Sequence, residues 1–138
     1  MPTTISLQAI PLGGFLCQQM KKSIWVSRHT PTPEQATDAA TSGFEIVVTP
    51  EGVAIGSRSL ETDGDVFSFV TSIRHLAEKH GCRAVHGVFS APVLGYMYEG
   101  KDDNYAWLPA FVAWNVSRTP EGGKPTFTHK KWVWVGYI

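Results

Sequence analysis

Apolar and polar positions along the chain fall into blocks that switch between the period of a strand and the period of a helix. Ile24, Trp25 and Val26 form a short β-branched and aromatic run with the character of a buried strand, and Pro31 and Pro33 forbid its continuation. Thr32-Pro33-Glu34-Gln35 reads as a capping box, with Thr32 as N-cap, Pro33 at the first helical position and Gln35 three residues on. It predicts a helix from Pro33 to about Thr41, stopped at Gly43. Phe44 to Thr49 follows as a second strand, ended by the turn chemistry of Pro50-Glu51-Gly52. From Val53 to Gly64 the pattern reads as an irregular connection, with room for a short extra strand at Val53, Ala54 and Ile55.

The clearest helical pattern runs from Val66 to His80, where Val66, Phe69, Val70, Ile73, Leu76 and Ala77 recur on one face, with Asp63 or Asp65 as the cap. Gly81 sits where a left-handed residue is needed, and Cys82 to Phe89 is the third strand. Ser90-Ala91-Pro92 repeats the earlier device, a strand end followed by a hydroxyl and a proline, before a helix running roughly to Glu99. After the acidic turn at residues 100–104, Ala110 to Ser117 reads as a fourth strand. Residues 119–124 form a hairpin-like connection, and Lys131 to Ile138 closes the chain as an antiparallel strand. Helices alternating with strands predict an α/β, Rossmann-like, mostly parallel sheet flanked by helices, with an antiparallel C-terminal strand.

Composition narrows this further. A chain of 138 residues with 43% hydrophobic residues buries one core, so one domain is expected. Residues 1–22 read as a peripheral N-terminal extension and 23–138 as the domain, with Met20-Lys21-Lys22-Ser23 resembling an alternative chain start. Residues 1–19 lack a basic n-region and a cleavage pattern, and Pro11-Leu12-Gly13-Gly14 interrupts their apolar residues, so neither a signal peptide nor a membrane span is expected. Twelve Lys and Arg balance twelve Asp and Glu. No global basic field points to a long nucleic acid, while a small anion held by a few local groups fits. Cys17 and Cys82, with no CxxC, fit a reducing, cytoplasmic location.

The candidate chemistry gathers at Ser27-Arg28-His29, between the first strand and its helix. Strand ends of open α/β sheets and helix N-termini both attract anions. Arg28 supplies a forked set of donors and His29 a group that works near neutral pH. A loop with a solvated Arg and a packed His fits the same residues. His75 and His80 point to different faces of the long helix, His86 reads as a core histidine, and His129-Lys130-Lys131 as solvated edge charge. No His or acidic pair has metal-ligand spacing, and no metal or cofactor is expected. Arg28-His29 after a strand also resembles the Arg-His-Gly corner of histidine phosphatases, with Thr30 in place of Gly and no second His or acid to match. Trp25, Trp114, Trp132 and Trp134 lie in predicted strands, so packing, more than base stacking, is their expected use.

Ser27-Arg28-His29-Thr30-Pro31-Thr32-Pro33-Glu34-Gln35 resembles the Thr-Gln-His-x-x-Thr-Pro-Glu-Gln signature of small stand-alone CRISPR-associated proteins of type III systems, relatives of the CARF domains. His86 to Pro92, Ala113 to Arg118 and Lys130 to Ile138 resemble the family's later strands more loosely. The chain departs at Ser27-Arg28, where the family has Thr-Gln, and at Val88-Phe89, where it has a Gly pair. The resemblance implies a CARF-like homodimer that binds cyclic oligoadenylate, with the tetra-adenylate the expected ring, and that cleaves it without a metal, as several relatives do as ring nucleases. Ser27, Arg28 and His29 are then the catalytic candidates, and Thr30, Thr32, Gln35, Ser90, Ala91, Asn115, Ser117 and Arg118 the ligand-binding ones. A non-catalytic sensor or sequestering protein would use the same loops.

Overall fold

The computed structural model describes residues 5–7, 20–99 and 108–138. Its elements in chain order are β1 (Ile5–Leu7), β2 (Lys21–Val26), α1 (Pro33–Thr41), β3 (Phe44–Val48), α2 (Pro50–Gly56), α3 (Asp63–Lys79), β4 (Ala84–Gly87), α4 (Ala91–Glu99), β5 (Pro109–Arg118) and β6 (Thr126–Tyr137). The strands form one sheet in the order β1-β3-β2-β4-β5-β6. β3, β2, β4 and β5 are mutually parallel, and an antiparallel strand closes each edge. This is the α/β, Rossmann-like architecture that the alternating pattern predicts, with its antiparallel C-terminal strand.

Several boundaries differ from the sequence reading: β4 is only Ala84–Gly87, and β6 starts at Thr126, five residues before the expected Lys131, because it pairs with β5 as far as Arg118. Ile5–Leu7 pairs with Val48–Ile46 of β3, so these residues of the expected extension join the sheet. The remaining residues up to 19, and the expected acidic turn at 100–104, lie outside the described residues. The expected turn and irregular segment from Pro50 is instead helix α2 as far as Gly56. Thr49 caps it by accepting from the Gly52 amide at 2.9 Å, with Pro50 in the first turn, repeating the device that starts α1. α3 begins three residues earlier than its apolar stripe, because Thr62 is the N-cap and Asp65 returns the bond to the Thr62 amide.

Strand alternation sorts the core onto two faces of the sheet. Ile24, Val26, Val47 and Val85 pack beneath α3 and α4, with Val70, Ile73, Val93 and Met97 fully buried. Removing one such side chain, as in Ile73→Ala, costs about 2–5 kcal/mol. Trp25, Ile46 and Val48 point to the other face, where the short α1 covers them through Ala39. Trp132 of β6 reaches over to complete this layer, edge-on to Trp25 and donating from Nε1 to the Gln35 carbonyl at 2.9 Å.

His86 lies within the second layer as the core histidine that its mid-strand position suggests. It is 1% exposed, stacks on Phe111, meets the edge of Trp132, and places Nδ1 2.5 Å from Ser23 Oγ. Burial pushes its imidazole down to about 3, so it is neutral at physiological pH.

On its β5 side, β4 pairs only through Val85 to Gly87, against Ala110 to Val112. The rest of β5 and its partner β6 therefore project past the carboxyl end of the sheet as a two-stranded hairpin. His129, expected as solvated charge, is tucked under this hairpin with Nε2 2.9 Å from Asp38 of α1.

Candidate functional site at the carboxyl end of the sheet

β3 and β4 flank β2 on opposite sides, so the chain leaving β2 turns one way through α1 and the chain leaving β4 turns the other through α4. A parallel sheet opens a crevice at such a divergence, beyond the strands' carboxyl ends. Ser27, Arg28, His29 and Thr30 leave β2 on one side of it, and Val88 to Ala91 leave β4 on the other.

The β2 corner is held from below. Trp25 is buried, yet its Nε1 donates to the His29 carbonyl at 2.6 Å, which fixes where the corner turns. Ser27 is buried and its Oγ accepts from the His29 amide at 3.3 Å. Arg28 and His29 are exposed, and Arg28 Nε donates to His29 Nε2 at 3.1 Å. In that geometry His29 Nε2 is an acceptor, which puts the imidazole proton on Nδ1. Among the described residues no carboxylate pairs with Arg28. Its charge is open to an anion.

The α1 N-terminus contributes less than its position suggests. Thr32 Oγ1 accepts from the Gln35 amide at 3.2 Å, and Gln35 Oε1 accepts from the Thr32 amide at 2.9 Å. Pro33 brings no N–H, so within the first turn the Glu34 amide is the donor left over. The capping box that makes the helix start legible thus uses up most of its anion-binding capacity. Gln35, named as a ligand-binding candidate, is buried in this cap, and Thr32 serves it too. Binding strength at the corner must come chiefly from Arg28.

α2 brings a cation that the sequence reading missed. Arg58 follows α2 and donates from Nη1 to Ser72 of α3 at 2.9 Å. With Gly56, Leu60, Phe69, Val88, Phe89, Ser90 and Pro92 it lines a cleft of about 170 Å³ that joins the end of α2 to the loop after β4. A larger cleft of about 320 Å³, lined by Lys21, Phe44, Arg83, Leu108 and Pro109, lies at the strands' amino ends. The smaller one is the better candidate, because it adjoins the corner carrying Arg28 and His29 and receives the loops of the parallel strands. The signal for Arg58 was present: Thr49-Pro50-Glu51 matches Thr32-Pro33-Glu34, and a helix read from it ends near Arg58.

The remaining candidates separate. Ser90 and Ala91 are exposed at the crevice. Asn115 and Ser117 lie within the fourth strand, as their sequence context predicts, and Arg118 is its last residue, all three on the projecting hairpin and not at the crevice formed by the loops after β2 and β4. Alternation puts Asn115 and Ser117 on one face and Arg118 on the other. Cys82 is buried, and desolvation pushes its thiol up to about 11, so it offers no thiolate.

No protein-family model, curated protein or solved structure matches this chain.

Proposed function

We propose that the crevice at the carboxyl ends of β2 and β4 binds cyclic oligoadenylate, the ring-shaped second messenger of type III CRISPR immunity, and that the protein is a metal-independent ring nuclease of CARF-like type. The observation that carries this reading is the exposed Arg28-His29 pair at the sheet's point of divergence, seated on Ser27 and tied down by Trp25. The likeness of residues 27–35 to the family signature supplies the identity of the ligand. Ring phosphates meet Arg28, with Arg58 beyond α2, and a base or ribose meets the apolar walls of the adjoining cleft, with Ser90 at its rim.

The reaction needs little more than geometry. A ribose 2′-oxygen attacks the adjacent phosphorus, its proton passes to a base, and the 5′-oxygen leaves with a proton, giving a 2′,3′-cyclic phosphate and a 5′-hydroxyl. In-line positioning and charge stabilisation on the phosphoryl oxygens supply most of the acceleration. Arg28 provides the charge and His29 the proton transfer, through Nδ1 or through Nε2 once phosphate draws Arg28 away. Two copies of the chain related by a two-fold axis present two such corners to one ring, which is why the reading includes a homodimer.

One observation favours the rival reading, a binder that sequesters or senses the ring without turnover. His29 Nε2 is already engaged by Arg28, so its lone pair is not free to take a proton. Incubation with cyclic tri-, tetra- and hexa-adenylate, followed by chromatography, separates the two. Linear products with a cyclic phosphate end support the nuclease; intact ring recovered in complex with the protein supports the binder; neither binding nor cleavage rejects both.

A further inference from the structure

The balanced charge of the whole chain conceals a segregation. Residues 109–138 carry four cations, Arg118, Lys124, Lys130 and Lys131, against one carboxylate, Glu121, a local charge of +3 in a chain that sums to zero. Most of that charge is concentrated on one face of the projecting hairpin. Trp114, Val116 and Arg118 alternate along β5 onto this face, and all three are exposed, Trp114 by 46%.

The register of β6 has an irregularity opposite this stripe. Lys131 pairs with Trp114 and His129 with Asn115, leaving Lys130 as an extra residue. In a regular strand two successive side chains point to opposite faces; the bulge re-aims one of them. Both ammonium groups consequently lie over the same indole, Lys130 Nζ 4.2 Å and Lys131 Nζ 5.1 Å from its ring centre. Among the described residues no carboxylate neutralises Lys130, Lys131 or Arg118. Two like charges brought together on an aromatic ring, without a counter-ion, form a place that a polyanion stabilises. Charge that serves only to blunt a sheet edge needs no such convergence.

We propose that this face of the β5–β6 hairpin binds single-stranded nucleic acid. From Trp114 to Arg118 the stripe runs about 13 Å at strand spacing, so its separated cations call for more than one phosphate. A half-exposed indole offers a stacking surface that a base in a duplex cannot use. A second copy docked hairpin to hairpin would set +3 against +3, which disfavours that occupant. The surface is distinct from the Arg28-His29 corner and does not depend on what that corner binds.

The test is fluorescence anisotropy of the full chain with a 5′-labelled uridine oligomer, its duplex with an adenosine oligomer, and phosphatidylserine vesicles as competitor. We expect the single strand to bind, the duplex to bind more weakly, and log affinity to fall against log salt with a slope of about −2, as three contacts to a single strand require. Trp114→Ala should lower affinity roughly 5- to 150-fold. Trp114→Phe should restore much of it, and Lys130→Gln with Lys131→Gln should flatten the salt slope. Circular dichroism melts of each variant report folding separately. Absence of binding, equal affinity for duplex, displacement by vesicles at lower concentration than by unlabelled strand, or indifference to Trp114→Ala in a folded variant overturns the proposal.

Discussion

Gly56 of α2 and Ser27 at the end of β2 pack backbone to backbone: a Cβ at Gly56 would fall 2.4 Å from the Ser27 carbonyl carbon, 2.5 Å from its Cα and 2.7 Å from the Arg28 nitrogen. One turn earlier, a Cβ at Gly52 would fall 2.2 Å from the Trp25 carbonyl oxygen. The neighbours in each case are main chain and cannot rotate aside, so α2 acts as a rigid backing for the corner. Gly56→Ala is expected to lower stability by about 1–3 kcal/mol through overpacking. Because the shift falls on Ser27 and Arg28, it should also weaken ring binding in protein that remains folded. Thermal melts and binding isotherms of the same variant check both.

Arg28 and His29 are expected to fail differently. If the proposed function holds, Arg28→Ala should cost a charge-assisted phosphate contact of about 1.5–3 kcal/mol, roughly ten- to a hundredfold in affinity. His29→Ala should slow cleavage by about 10²–10⁴ with little change in binding. Single-turnover rates and dissociation constants measured side by side separate the roles. Cleavage at parental rate in both variants moves the chemistry elsewhere in the crevice, to Ser90 or Arg58.

The buried His86 makes stability depend on acid. Its folded value, about 3, lies below the ordinary 6.5, so on acidification the unfolded chain takes up a proton that the folded chain refuses. Stability contributed by this site is intact above pH 6.5 and is lost below it at up to about 1.4 kcal/mol per pH unit. Denaturant unfolding between pH 7.5 and 4.5 should show this slope, and His86→Gln, which does not titrate, should reduce it. An unchanged slope in that variant assigns the acid sensitivity to other groups.

Removing residues 2–19 takes away β1 and leaves the β3 edge unpaired. Buried residues between Ile24 and Ile138 build both faces of the core, so a chain starting at Met20 should still unfold cooperatively. Its uncovered edge should promote self-association. Calorimetry beside light scattering over a concentration series checks both parts; loss of a cooperative transition would make the segment essential to the fold.

The homodimer that a ring ligand calls for is expected at micromolar concentration, with or without ligand. Multi-angle light scattering reads the mass directly. A monomer under both conditions counts against a site assembled from two corners and leaves each corner to bind by itself.

Local chemistry determined much of this protein. Thr32-Pro33-Glu34-Gln35 delimits α1 because capping involves residues three apart, and the apolar stripe from Val66 to Ala77 announces α3 because its period is that of a helix. Together with the strand runs between them, these are enough to specify an α/β sheet and to put Ser27-Arg28-His29 at a strand end. The tertiary structure decided what local pattern does not encode. Gln35 looks available in sequence and is buried in its own cap, since the cap's second bond folds the side chain inward. Arg58 joins the candidate site through α2, whose interior glycines resemble a turn until the backbone of Trp25 and Ser27 is seen against them. Lys130 and Lys131 converge on Trp114 only because β5 and β6 pair with one residue out of step. Strand register is a relation between two segments, and neither segment carries it alone.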